Sequence, residues 1–452
     1  MYYHIMYILG RLRRRYINQI PEGKSEYLNS RRAFTIDGVT AFAVLNLVSF
    51  VYLSGLLHHI GAPKTLNGII SAFPALVNVA QPMGAALAQN IKKRKPYISA
   101  GALLHRLMFT LIFFVPLFLP PSQACAVIAI LLFSGHFINA FITPMANSWI
   151  ISLTPQRVRG KYFGLREFYS MITAAAVLLL TGFILDYFKD MGKAGTGFLY
   201  VGVIVGILTL INTIALSRVM EPESLEQSVR GEPIAKILKM VLTEKGFRPV
   251  LILSGIFMLG IQVAVPYHGI YMVDDLKISY GFISTVSFIT MIQKAVIVRR
   301  WGRLADKTSW ARVCRLSVIL IAASHLLNFF LTPSTWIWAY PASALIASFG
   351  WASINIALLN VQYDYAPMKG RTIYIGICGA VTGIIGFLGV FLGSFILPLA
   401  DKYKPVVFGM VLKGQQILML ISGILLVSCA VYTFSVVEKK EKIINTQEGR
   451  AL

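Results

Sequence analysis

Apolar residues along this chain come in runs of about twenty, separated by short polar bursts. Twelve runs can be marked, at about 34–58, 65–87, 97–119, 125–151, 162–185 and 195–219, then 250–272, 280–298, 311–331, 336–360, 374–399 and 415–436. A helix rises about 1.5 Å per residue, so about twenty residues cross the roughly 30 Å hydrocarbon layer of a bilayer. The bursts supply the stops, such as Lys92-Lys93-Arg94-Lys95 after the second run and Pro120-Pro121-Ser122-Gln123 after the third. The strands of a membrane barrel alternate apolar and polar positions, and these runs do not. The pattern predicts an all-α polytopic membrane protein with twelve transmembrane helices.

Composition agrees. Of 452 residues, 56% are hydrophobic and 13% charged, against roughly 25% charged in a soluble domain. The formal net charge of +23 invites a nucleic-acid partner, yet Lys and Arg cluster in every second loop, at 11–15, 92–95, 157–161, 299–315, 369–371 and 439–442. The opposite loops hold scattered lysines such as Lys64, Lys189, Lys277 and Lys413. That alternation is a topology signal. The expectation is therefore a lipid bilayer partner and no nucleic acid, a place in the plasma (cell) membrane, and both termini cytoplasmic. Cys125, Cys314, Cys378 and Cys429 sit in or beside apolar runs without paired spacing, as small core residues do. CxxC, HExxH and GxxxxGK[ST] are missing, so neither a metal site, a cofactor nor enzyme chemistry is expected; a coupling ion, H+ or Na+, is compatible.

The longest internal polar stretch, 220–248, divides the runs into two sets of six, 34–219 and 249–436. It is acidic at Glu221, Glu223 and Glu226, then Lys-rich with helical apolar spacing, and reads as a cytoplasmic linker with an amphipathic surface helix. Residues 1–33 form a basic tail whose apolar start is too short to span and is followed by no cleavable signal; 437–452 form a polar tail.

The two sets are related. TPQRVRGKYFG at 154–164 recurs as APMKGRTIYIG at 366–376, and one offset of 212 superimposes Pro155 on Pro367, Arg159 on Arg371, Tyr162 on Tyr374 and Gly164 on Gly376. A self-similarity spanning half the chain indicates two equivalent halves, as in many transporters. Gly302-Arg303-Leu304-Ala305-Asp306-Lys307 resembles the GxLaDr loop motif of the major facilitator superfamily, and 85–89 is a degraded copy with Gln89 in place of the acid. The paired PxxxR connectors are similar to that family too. The resemblance covers about 34–436 and implies two pseudo-symmetric six-helix bundles around a central cavity, working by rocker-switch alternating access. It implies that spans one, four, seven and ten line the cavity while three, six, nine and twelve face lipid, which sets His105, Arg106 and His325 aside. By the same resemblance Asp306 meets the start of the fifth span near Arg166 and latches the cytoplasmic side, with Arg159 and Arg371 in the flanking connectors; capping its own loop is the plainer role for Asp306.

Ionisable groups inside a bilayer are costly, which makes each a functional candidate. Asp37, Arg166, Glu167 and Lys294 lie at matching depths near one end of their spans. A cytoplasmic gate would pair Glu167 with Lys294 and Asp37 with a nearby base; snorkelling to the headgroups is the alternative. The middle of every span lacks Asp and Glu. Polar groups there are Asn46, His136, Asn139, Gln262, Tyr267, His268 and Asn355, with Trp351 nearby. Amides and imidazoles beside an aromatic face suit a small, mostly neutral, polyhydroxylated or heterocyclic solute. Each could instead serve as an interhelical hydrogen bond, and His136 or His268 as a carrier of a coupling proton. The glycines of the eleventh span, from Gly379 to Gly393, permit close packing.

The expected function is secondary or facilitative transport of a small solute by a monomer. Sugars lead, because Glu221-Pro222-Glu223-Ser224 resembles the PES motif of sugar porters, although the acid those porters carry before the connector proline is missing here. An exporter of lipophilic drugs with the same fold, and a membrane receptor or scaffold that no longer transports, are the alternatives.

Overall fold

The computed structural model describes residues 25–91, 93–154, 156–221, 241–367, 371–403, 406–407 and 410–439. Span 1 is Ser25–Leu47 and Phe50–His59; span 2 runs through Lys64–Ser71, Phe73–Leu76, a 3-10 turn at Val77–Ala80, and Gln81–Asn90. Spans 3 to 6 are Lys95–Leu111, Pro121–Ser152, Gln156–Asp190 and Ala194–Ser217. Span 7 is Arg248–Gln262 and Val265–Ile270, closed by a π-helical turn at Tyr271–Asp275. Spans 8 and 9 are Tyr280–Lys307 and Trp310–Asn328; span 10 is Trp336–Trp351 and Ile354–Tyr365. Span 11 is Arg371–Tyr403, and span 12 is Gly414–Tyr432 with a π-helical turn at Thr433–Glu438. The chain forms twelve helical spans in two pseudo-symmetric bundles of six.

Among the described residues, nine helices are each long and apolar enough to cross a membrane, and span 1 qualifies as a pair bent by 43°. Span 2 falls short because it is broken into short pieces, and span 3 because its regular helix ends at Leu111 after 17 residues. Several helices outrun their apolar stretches. Span 1 starts at Ser25 and carries Arg31, which is buried and donates to the Leu153 carbonyl at 3.1 Å. Hydropathy marks the membrane, whereas a helix continues as long as its backbone bonds are made. The loop before span 12 holds a short antiparallel pairing of Val406–Val407 with Met410–Val411. The amphipathic helix expected within 220–248 falls mostly outside the described residues.

Successive spans run in opposite directions, which leaves a basic face, where spans 1 and 7 begin, and a far face opposite. The far face is where the halves are sewn together. Asp186, near the end of span 5, accepts from the backbone N–H of Tyr280 at 2.7 Å and of Gly281 at 2.6 Å. These are orphan donors at the N-terminus of span 8, and a carboxylate there is favoured by the helix dipole. One turn deeper, Tyr52 of span 1 donates to the Leu178 carbonyl and shares a 2.9 Å hydrogen bond with Ser284 of span 8. Lys64 of span 2 pairs with Asp274 at 3.1 Å and Asp275 at 2.5 Å on span 7. Asp275 also takes Lys413 at 2.6 Å, and His58 lies 3.4 Å from Asp274.

Glycines let these segments touch. A Cβ on Gly68 would stand 1.8 Å from the Tyr267 ring, and one on Gly55 would stand 1.9 Å from the Tyr280 hydroxyl. At the basic face the described ends leave room: a Cβ on Gly164, Gly302 or Gly376 would meet nothing within 4 Å. The contacts that join the halves through Asp186, Tyr52, Lys64 and Asp275 thus lie at the far face.

Tyr267 is fully buried, so it cannot swing aside for a larger neighbour. Gly68→Val is expected to cost about 1–3 kcal/mol by overpacking and to lower the thermal midpoint of the purified protein in detergent. An unchanged midpoint would contradict the close packing described.

Candidate transport site

Besides span 2, spans 1, 7 and 10 are interrupted within their length, and polar side chains singled out in the sequence sit at each of these three breaks. Asn46 lies one residue before the end of the first segment of span 1. Past it the chain turns through Phe50, which takes the left-handed φ of 46°, a conformation costly for an aromatic residue. Gln262 ends the first segment of span 7. Trp351 ends the first segment of span 10, and Asn355 lies at the start of the second. In span 4, Asn139 precedes Pro144, which has no N–H to give to the Ala140 carbonyl.

Irregular backbone at membrane depth persists only where protein or a water-lined cavity satisfies it. The protein supplies part of that satisfaction. Gln415 of span 12 donates to the Ala264 carbonyl at the break in span 7, at 3.1 Å. Ser317 of span 9 shares a 2.6 Å hydrogen bond with Ser353 at the break in span 10. Asn355 is exposed, while Asn46, Asn139, Gln262 and Trp351 are half-buried. Trp351 leans on Phe257 with ring centroids 6.2 Å apart, and Gln262 reaches the backbone of span 11 near Gly386.

The remaining three polar candidates go elsewhere. His136 is buried against Phe109 of span 3, with ring centroids 4.7 Å apart, inside the first bundle. Tyr267 belongs to the far-face seam, where its hydroxyl donates to the Val390 carbonyl at 2.7 Å. His268, on the same short segment, has a buried Nδ1 that meets no hydrogen-bonding partner among the described residues.

The groups set aside as lipid-facing turn inward. His105, Arg106 and His325 are all buried. His325 Nδ1 donates to the Ser422 hydroxyl at 2.6 Å, which in turn donates to the Gly260 carbonyl, tying spans 9, 12 and 7. Arg106 lies 3.4 Å from Asp37, and Arg166 approaches the other carboxylate oxygen at 3.9 Å. Asn212 of span 6 adds a 2.9 Å hydrogen bond to Asp37 and a 3.0 Å one to Thr40. Spans 3 and 9 present one side to lipid and the other to their own bundle, so membership of an outer span does not place a side chain. The sequence cue that was available is that both Arg106 and Asn212 interrupt otherwise apolar runs.

Arg166, expected near Asp306, is directed at Asp37 and lies 5.4 Å over the Phe34 ring. The side chains of Gln89, Arg159, Asp306 and Arg371 fall outside the described residues. Glu167 is exposed, and no ion pair joins it to Lys294. At the edge of the far face a cavity of about 310 Å³ is lined by His58, His59, Lys189, Lys277 and Tyr280 among others, away from the breaks.

Asp37 balances two guanidinium groups in a site nearly closed to water. Removing one member of such a set strands the others, at about 3–5 kcal/mol. Asp37→Ala is expected to lose stability on that scale in detergent denaturation, and Asp37→Ala combined with Arg106→Met to recover part of it. Additive losses in the double variant would contradict a coupled cluster.

Comparison with known proteins places this geometry. The profile of the Major Facilitator Superfamily matches residues 38–390 and 250–450. An uncharacterized MFS-type transporter of Methanocaldococcus jannaschii is 24% identical over 380 residues, covering 81% of this chain and 92% of that protein. Among solved structures, the nucleoside transporter NupG (D323A mutant) superposes with a TM-score of 0.68 at 12% identity, over 90% of this chain and 99% of its own. A D-xylose-proton symporter superposes with a TM-score of 0.67 at 15% identity, over 91% and 98%. A bacterial homologue of the human lysosomal transporter Spinster, in an inward-facing and occupied conformation, gives 0.66 at 14% identity, over 93% and 98%. These likenesses carry the fold, and the profile carries the family: the chain belongs to the Major Facilitator Superfamily, as a multi-pass membrane transporter of small solutes and not an enzyme.

Proposed function

We propose that the protein is a secondary or facilitative transporter of a small, hydroxyl-rich polar solute, sugar-like in its hydrogen-bonding surface, moved by alternating access. The observation that carries this reading is the placement of Asn46, Gln262, Trp351 and Asn355 at the mid-membrane breaks of spans 1, 7 and 10. Amides there offer donors and acceptors together, and the indole offers an apolar face, the combination that a sugar or nucleoside ring requires. The names of two structural neighbours, a nucleoside transporter and a D-xylose-proton symporter, are in keeping with such a solute.

The basic face is read as cytoplasmic, by the clustering of Lys and Arg in its loops, so the state described faces inward. In the outward-facing state the seam of Asp186, Tyr52, Lys64 and Asp275 opens and the basic-face ends close. The protein works as a monomer in the cell membrane. A coupling ion, H+ or Na+, is compatible with this cycle, which uses no resident metal and no organic cofactor.

Reconstituted into liposomes, the protein is expected to take up members of a panel of sugars, polyols and nucleosides. Asn46→Leu and Asn355→Leu are each expected to slow that uptake about two- to tenfold, the effect of losing one hydrogen bond of about 0.5–1.5 kcal/mol. Uptake no faster than in empty liposomes across the panel would overturn the reading. Accumulation of hydrophobic cations that an uncoupler abolishes would replace it with the drug-exporter reading.

A further inference from the structure

Span 8 has three of its sides assigned by contact or exposure. Toward spans 5 and 1 it offers Gly281, bonded to Asp186 of span 5, and Ser284, bonded to Tyr52 of span 1. Toward span 10 it offers Phe282, edge-on to Trp336 at 5.2 Å, then Gln293, donating to the Leu345 carbonyl at 3.2 Å, and Trp301, donating to the Phe349 carbonyl at 2.9 Å. Away from the protein it shows Ile289, Ile292 and Val296, which are 50%, 39% and 61% exposed. At about 100° per residue, Lys294 falls between the span 5 side and the span 10 side, opposite the exposed apolar stripe. That sector looks into the space between the two bundles, and Ser287 and Thr290 share it.

Lys294 is half-buried and, among the described residues, has neither a hydrogen bond nor an ion pair. The contrast with its surroundings is what matters. The buried charges of the first bundle hold one another: Asp37 meets both Arg106 and Arg166. That set already carries one more positive than negative charge, so Asp37 has no charge to spare for Lys294. Glu167 is the next carboxylate, and it is exposed and unpaired with Lys294. An ammonium held in a membrane interior without a counter-charge is expensive. A site in a carrier that leaves such a charge unmet is complete only when cargo brings the partner.

We infer that Lys294 is a specificity-determining residue that receives a single carboxylate of the transported solute, so that the cargo is a hydroxylated organic acid. This rests on the transporter reading and changes one part of the sequence-based expectation, that of a mostly neutral solute. Lack of carboxylates in mid-span argues against cationic cargo; it does not argue for neutral cargo once an ammonium without a counter-charge lies on the inward side of span 8. One ammonium acts as a point charge and suits a monoanion. The amides at the helix breaks then serve the hydroxyl groups.

The test uses the full-length protein in detergent and matched pairs of probes differing by one carboxylate: gluconate with sorbitol, glucuronate with glucose, lactate with propane-1,2-diol. Binding is read by calorimetry and thermal shift. At least one acid is expected to bind wild type at least tenfold more tightly than its neutral partner. Lys294→Gln is expected to bring that acid down to parity while leaving the neutral partner unchanged, and Lys294→Arg to keep most of the preference. The arginine variant, with the unchanged neutral partner, separates a lost contact from a misfolded protein. No acid preferred over its partner, or a preference that survives Lys294→Gln, would overturn the inference. Uptake of sorbitol or glucose at least as fast as of gluconate or glucuronate, by wild type and Lys294→Gln alike, would overturn it while leaving the transporter reading intact. An acid that binds through Lys294 yet never crosses the liposome membrane would support the site and overturn the transporter reading.

Discussion

A charge placed where water cannot follow has to be met by protein, and much of this molecule is arranged around that constraint. Asp37 is met three times, by Arg106, Arg166 and Asn212 on three different spans, so one carboxylate fixes how spans 1, 3, 5 and 6 lie together. Asp186 meets the two leading N–H groups of span 8 and thereby joins one half of the molecule to the other. Asp275 does the same between Lys64 and Lys413. Lys294 breaks the rule, and the rule gives that exception its meaning.

The same constraint explains how a single structure can be firm in one place and yielding in another. Within each bundle, charged and amide groups are enclosed by apolar side chains, where losing a partner is heavily penalised. Between the bundles the far-face contacts are fewer, and Lys64 and Lys413 are partly exposed, so each pair contributes little on its own. A seam of individually modest interactions, packed through Gly55 and Gly68, can release as a unit without unfolding either bundle. The breaks in spans 7 and 10 are held by Gln415 and Ser317 of their own bundle.

Much of the fold was legible in the sequence because its cause is one-dimensional. A bilayer demands continuous apolar runs, so the runs at 125–151 or 374–399 announce spans 4 and 11 directly, and the repeat of Pro155 and Arg159 in Pro367 and Arg371 announces the two halves. The placement of the polar candidates was legible only in part. Asn46, Gln262 and Asn355 stand out as amides in apolar runs, and they do sit at breaks. His136, Tyr267 and His268 have the same signature, yet they turn into the bundle or the seam, because which side of a helix faces the cavity depends on tertiary packing. Arg106 was lost for the converse reason: its span borders lipid, but its side chain does not. The cap that Asp186 supplies to span 8 could not be read from spacing, since the two partners lie nearly a hundred residues apart in different halves.

The central claim is that the far-face seam opens as the basic face closes. Spin labels placed at the two ends of spans 5 and 8, with their separations measured by double electron–electron resonance in liposomes, test it most directly. In wild type the account predicts short distances at the far face and long ones at the basic face. In Asp186→Ala it predicts a second population with the order reversed, long at the far face and short at the basic face. Distances that stay fixed at both ends, or that lengthen at both together, would contradict a reciprocal gate.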